Sequence, residues 1–328
     1  MTANLILLIV GVIILVVAGD FLVRGAAAFA RKWGVPALIV GLTIVAFGTS
    51  APELVVSVQA VIDGASALAF SNVVGSNIAN ILLALGLPAL ILAIPTDTPG
   101  VTRNTVFAVF ATLVLIALVF IHNPLERWQG AILFSGIVGY LFWMFSLARA
   151  GSRDPALREM AEIDEMDGLP RSQLISLIFV VGGIIGLAIG GNLIVDNATE
   201  MAQRMGVAQS VIGLTLVAIG TSLPEIATVI VAAYRGHNEV AIGNVVGSNI
   251  FNIFAVMGAA ALTGPIDIPA SLMSIDVWVM LGTILLLLGI IIAGKPIGRR
   301  LGFAMVLGYG GYCLIIGQRL NDAAMYAA

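Results

Sequence analysis

The chain repeats itself. Residues 41–54 read GLTIVAFGTSAPEL and residues 213–226 read GLTLVAIGTSLPEI, identical at ten of fourteen positions. Residues 72–80, NVVGSNIAN, return at 244–252 as NVVGSNIFN, identical at eight of nine. These matches, with Gly34 on Gly206 and Ala26 on Ala198, all share one offset of 172 residues. A register kept across separated motifs marks a duplicated unit. Whatever one copy folds into, the other must fold into as well.

The duplicated unit is apolar. Hydrophobic residues make up 60% of the chain and charged residues 10%, against about 25% charged in soluble domains. Ten apolar runs lie near 4–23, 36–62, 70–94, 103–121, 128–149, 172–195, 208–234, 240–263, 275–293 and 300–318. Each suits a bilayer, which takes about 20 residues of helix, and the 37 glycines fit membrane helices. The expected fold is an all-α integral membrane protein of ten transmembrane helices, built as two inverted five-helix repeats. The first repeat is residues 1–150, the linker 151–171, and the second repeat 172–328. Five is odd, so the second copy enters the membrane from the opposite side.

Charge sets the orientation. Loops after odd-numbered spans hold twelve of the fifteen lysines and arginines; only Arg127, Arg204 and Arg319 lie on the other side. Positive residues favour the cytoplasmic face, so both termini are expected outside and the linker inside, in a plasma membrane of prokaryotic type. Arg24 aligns with Asp196 at the repeat offset, each on the side its sign prefers. The linker acids Asp154, Glu159, Glu162, Asp164, Glu165 and Asp167 lack EF-hand spacing and read as a solvated connection, not a calcium sensor. No basic run points to nucleic acid. The first run has no basic residue before it and reads as a retained span, not a leader. The single cysteine, Cys313, excludes an intramolecular disulfide framework and a cysteine metal cluster.

Two acids stand inside the duplicated motifs of these spans. Glu53 and Glu225 each meet an insertion penalty of roughly 2.5–3.5 kcal/mol at the bilayer centre. No lysine or arginine lies within a neighbouring span to pair with them, which disfavours a merely structural ion pair. Each follows a proline, Pro52 or Pro224, which lacks an N–H and breaks the preceding turn. Freed carbonyls near Gly48 and Gly220 are then available to a cation, which broken membrane helices offer; a simple kink is the plainer alternative. Thr49 and Thr221 stand four residues before the acids, on the same helix face. Asn72, Ser76 and Asn80 form one polar stripe, and Asn244, Ser248 and Asn252 another. Such stripes also serve as interhelical glue, but paired with two glutamate motifs they favour a site. Every candidate ligand is an oxygen, which suits calcium, with its 6–8 flexible oxygen ligands, and sodium, and suits zinc or copper poorly. Two facing carboxylates repel in a low dielectric, so an empty site resists crossing. That is the logic of an obligate antiporter.

These motifs resemble the two alpha-repeats of the calcium/cation antiporter superfamily, in its sodium/calcium exchanger branch, over nearly the whole chain. The resemblance implies Glu53 and Glu225 as the main calcium ligands, with Thr49 and Thr221 assisting. It implies sodium at Ser50, Ser222, Ser76 and Ser248 and at carbonyls near Ala46 and Ala218, with Asn80 and Asn252 at the centre. It also implies that long first and sixth helices slide across the remaining core. Gly182, Gly186 and Gly190 are expected to give the sixth helix a small-residue face for that motion, or for static packing. Many relatives carry aspartate where this chain has Asn80 or Asn252; losing it argues against potassium dependence. The two amides are expected to hydrogen-bond the glutamates when ions are few. The expected protein is no enzyme, carries no cofactor, and works as a monomer in the lipid bilayer with calcium and sodium as substrates. A calcium/proton antiporter, an ion channel and a structural or signalling membrane protein are the competing classes.

Overall fold

The structure is a computed structural model that describes residues 2–33, 37–150, 170, 172–204, 218–270 and 272–327. The linker acids fall outside the described residues, as do Gly34, Gly206 and 213–217 of the second motif. The helices are α1 (Thr2–Trp33), α2 (Leu38–Thr49), α3 (Ala51–Ile62), α4 (Ser66–Ala89), α5 (Val101–Ile121) and α6 (Arg127–Ala150). They continue as α7 (Gln173–Arg204), α8 (Leu223–Tyr234), α9 (Asn238–Thr263), α10 (Leu272–Ile292) and α11 (Arg299–Ala327). A short turn, Ala218–Thr221, precedes α8. Among the described residues every regular element is helical, and extended chain pairs only at two isolated bridges. Among the described residues, eight helices have the length and hydropathy of membrane spans; α2 and α3, bent by 44° at their break, make a ninth.

α1 and α7 outrun their apolar cores, extending to Trp33 and Arg204. Hydropathy marks where lipid contact is possible, whereas the alanines at 26, 27, 28 and 30 are strong helix formers that carry α1 further. The two long helices lie against each other along their length. Gly25 meets Ser176 and Val180, Gly183 meets Ala18 and Leu22, and Gly190 meets Gly11 and Leu15. Asn4 Nδ2 donates to Glu200 Oε2. Residue numbers rise along one helix as they fall along the other, so the pair is antiparallel.

This interface corrects the expected glycine face. Gly182 is exposed and meets nothing among the described residues, while Gly183, Gly186 and Gly190 face α1. At about 3.6 residues per turn, Gly183, Gly186 and Gly190 lie within about 60° of one another, whereas Gly182 lies about 40° beyond Gly186 and about 80° from Gly190. The 183–186–190 set therefore faces α1, and Gly182 falls outside it.

The repeat is visible in the backbone. Gly64 and Gly236, offset by 172, both turn the chain at positive φ, +79° and +78°, a conformation open mainly to glycine. The bridges Ile94–Ile297 and Leu125–Ile266 map onto each other under the same offset. So do two π-helical stretches, Asn80–Leu85 in α4 and Asn252–Val256 in α9. Tyr140 donates to Asn104 at 3.4 Å, and the matching Tyr312 donates to Asp276 at 2.7 Å. The core is α4 and α9 with α2, α3 and α8 against them; α5, α6, α10 and α11 pack outside.

Candidate functional site

Local sequence builds the site first. Pro52 sits in the first turn of α3, and the chain leaves helical geometry at Ser50, φ −84° and ψ 4°. Pro224 and Ser222, φ −87° and ψ 0°, repeat this before α8. The breaks place Glu53 and Glu225 in the first turns of α3 and α8, where unpaired N–H groups and the helix dipole favour a carboxylate. Both side chains are fully buried, at 0% exposure. The ion pairs among the described residues join Asp20 with Arg24 and Arg235, Glu126 with His122, and Glu200 with Arg204. None reaches either buried glutamate.

The two halves interlock around these acids. Ser50 Oγ donates to Glu225 Oε1 at 3.4 Å. Thr49, in the same break, lies close to that carboxylate, so the residues that lead into Glu53 of one copy reach the acid of the other. Thr49 Oγ1 also lies 3.1 Å from Asn244 Oδ1, 3.3 Å from Ser248 Oγ and 3.3 Å from the Ala46 carbonyl. A hydroxyl has one hydrogen to donate, so it cannot serve all these oxygens. The Ala46 carbonyl, an expected sodium ligand, accepts from the Ser50 N–H at 3.0 Å as well. Asn72 Nδ2 donates to Ser57 Oγ at 3.0 Å and to the Glu53 carbonyl at 3.4 Å.

The duplicated motifs carry many buried polar atoms that are unsatisfied among the described residues. Both oxygens of Glu53, Oε2 of Glu225, the hydroxyls of Ser76 and Ser222, and both amide atoms of Asn80 and of Asn252 lack a hydrogen-bond partner among the described residues. Asn244 Nδ2, Asn77 Oδ1 and Asn249 Oδ1 join them. A buried polar atom without a partner costs about 1–3 kcal/mol, and such atoms are scarce in folded proteins. Most are oxygens, and a cation satisfies several oxygens at once. The expectation that Asn80 and Asn252 bond the glutamates is not met here, since both amides are unpartnered. Each stands at the start of a π-helical stretch, a feature frequent at functional sites. Thr221 is half-buried in the turn before α8, and the backbone of Ala218 belongs to the same turn.

Two features escaped the sequence reading. Ser57 supports Asn72 one helix away, and its counterpart at the repeat offset is Val229. Asp276 is a third buried acid within a span, held by the Tyr312 hydroxyl. Its signal was present, because it is the one charged residue between 272 and 292.

Comparison with known proteins places this geometry. The model of the sodium/calcium exchanger protein family matches residues 3–146 and 175–317. The inner membrane protein YrbG of Escherichia coli is 37% identical over 84% of this chain and 84% of its own length. The sodium/calcium exchanger MaX1 of Methanosarcina acetivorans is 32% identical over 96% of this chain and 99% of its own. A structure of the sodium-calcium exchanger NCX_Mj superposes with a TM-score of 0.78 at 28% identity, covering 94% of this chain and 96% of that one. Matched along almost its whole length by that family, the chain belongs to the sodium/calcium exchangers, multi-pass membrane proteins that are transporters and not enzymes.

Proposed function

We propose that the chain is a secondary antiporter that exchanges sodium for calcium across the plasma membrane by alternating access. One observation carries this reading: the break before Glu53 in one copy bonds through Ser50 to buried Glu225 of the other, and among the described residues no ion pair reaches either acid while many buried oxygens stay unsatisfied. In this reading Glu53 and Glu225 hold calcium with Thr49 and Thr221. Sodium takes Ser50, Ser222, Ser76 and Ser248 and the Ala46 and Ala218 carbonyls, with Asn80 and Asn252 between.

The architecture proposed with it is ten spans in two inverted repeats, 1–150 and 172–328, with a cytoplasmic 151–171 linker, outside termini and a monomeric working unit. The antiparallel α1–α7 pair supports inversion, because these helices are matched by the repeat offset. A Cβ on Gly183 or Gly190 would meet α1 backbone at 2.7–2.9 Å, and α7 also meets the rest of the molecule closely, at Gly48 through Ile184 and at Gly220 through Val195.

The test is labelled calcium uptake into sealed liposomes against sodium, potassium or proton gradients. Uptake driven by a sodium gradient alone is the expected result. Uptake driven only by protons moves the assignment to a calcium/proton antiporter, and flux without any counter-ion to a channel. Glu53→Gln and Glu225→Gln abolish calcium movement if the site is assigned correctly; wild-type rates in either variant reject it.

A further inference from the structure

The GSN motif contributes a second asparagine to each half, one residue after the serine and three before the central asparagine. Asn77 and Asn249 are 172 residues apart and are buried at 1% and 3% exposure. Asn77 Nδ2 donates to the main-chain carbonyl of Asn249 at 3.4 Å, and Asn249 Nδ2 donates to the carbonyl of Asn77 at 3.3 Å. Two equivalent residues that exchange the same bond lie astride the axis relating the halves, as in an isologous contact. Asn77 Nδ2 also lies 3.7 Å from Met280 Sδ.

We infer that this reciprocal amide pair is a positioning device that sets the width of the ion site and hence its selectivity by cation size. The inference rests on the cation site proposed above. Both bonds are long, so their contribution is geometric more than energetic. They tie α4 to α9 at the positions adjoining Ser76 and Ser248. Three residues on, Asn80 and Asn252 open the π-helical stretches. Fixing Asn77 against Asn249 therefore fixes the separation of two ligand stripes that face each other from different halves. Selectivity among cations of equal charge depends on cavity size and on the number and flexibility of the ligands. A helix pair free to separate accommodates a larger ion at little penalty.

Because the pair straddles the axis, the two positions must behave alike. Asn77→Ala and Asn249→Ala should each lower the preference for calcium over barium by about threefold to tenfold, the scale of one weak hydrogen bond. The loss should appear as a raised KM for calcium with kcat largely kept, and the two variants should agree with each other. The measurements are labelled calcium and barium uptake in sodium-loaded liposomes, and protection of the purified full-length protein against heat by calcium or barium chloride. Asn77→Ser and Asn249→Ser, milder changes whose shorter side chains cannot span to the opposite carbonyl, are read in the same way should the alanine variants misfold. A purely structural role lowers stability but leaves the calcium-to-barium ratio as in the wild type, and that result overturns the inference. So does a shift at one position only. Failure of the underlying reading looks different: the wild-type protein itself is then neither protected by calcium nor able to transport it.

Discussion

Adjacent glycines on α7 should respond oppositely to the same substitution. A Cβ on Gly183 would lie 2.7 Å from Leu22 N, 2.8 Å from the Ala18 carbonyl oxygen and 2.8 Å from Leu22 Cβ. Carbon atoms rest about 3.5–4.0 Å apart, so Gly183→Ala must push α1 and α7 apart locally by roughly 0.7–1.2 Å. Overpacking of this kind costs about 1–3 kcal/mol. Gly182 is exposed and meets nothing among the described residues, so Gly182→Ala keeps only the gain in helix propensity, about 0.8–1.0 kcal/mol. That gain is common to both variants, which leaves the overpacking penalty as their difference. At about 2–4 °C per kcal/mol for domains of 150–250 residues, the melting temperatures should differ by about 2–12 °C, with Gly183→Ala the lower. Thermal unfolding of the two purified proteins, side by side, measures this. Equal melting temperatures, or a lower one for Gly182→Ala, would refute the close antiparallel packing. If α1 and α7 move as one unit, calcium turnover below the melting range should be similar in the two variants.

Three other perturbations address separate parts of the molecule. Asp20 accepts from Arg235 Nε at 2.7 Å and tethers α1 to the end of α8. Asp20→Asn should lower stability by about 1 kcal/mol at low salt and by less at high salt; a salt-independent loss would contradict an electrostatic tether. Burial, and then the nearby Arg235, hold the His237 imidazole below its ordinary pKa, so the folded protein favours the neutral ring. Its contribution is complete above the unfolded value of about 6.5 and is lost as pH falls through the lower folded value. His237→Gln should flatten the acid side of the stability profile, and an unchanged profile would exclude this histidine as its cause. Asn252→Asp adds a third carboxylate to the site and should shift cation preference; identical transport of every cation would remove Asn252 from the site.

Legibility divided along physical lines. The acids, their prolines and the two polar stripes were readable because each is expensive in an apolar span and each occurs twice. The interruption before Glu53 followed from the missing N–H of Pro52, and the structure places it at Ser50. Helix ends were less readable, since hydropathy reports lipid contact while α1 continues on alanine-rich propensity to Trp33. The facing glycine was misplaced by one residue because a four-residue spacing drifts around the helix. The Asn77–Asn249 exchange could not be foreseen, because sequence shows that two asparagines are equivalent but not that they touch. Asp276 was overlooked because its counterpart at the repeat offset is the uncharged Asn104, and attention to matched motifs hides what the copies do not share.

In the proposed exchanger, those unshared residues bear on the balance between its two access states. A molecule with identical halves would have two access states of equal energy related by its axis, and nothing in the protein would prefer either. Here the copies differ where they touch. Asp20 finds Arg235, whereas the positions equivalent to this pair are Asn192 and Asp63, which cannot form it. Asn72 is held by Ser57, whereas Asn244 faces a half with Val229 instead and keeps an unpartnered Nδ2. Under the proposed alternation, each difference would stabilise a contact in one access state that the other state lacks. A bias of 1.4 kcal/mol is about a tenfold population ratio, within reach of one such ion pair together with one such hydrogen bond. In the proposed exchanger, the duplicated residues would make a site usable from both sides, and the few residues that break the duplication would give the two sides unequal occupancy.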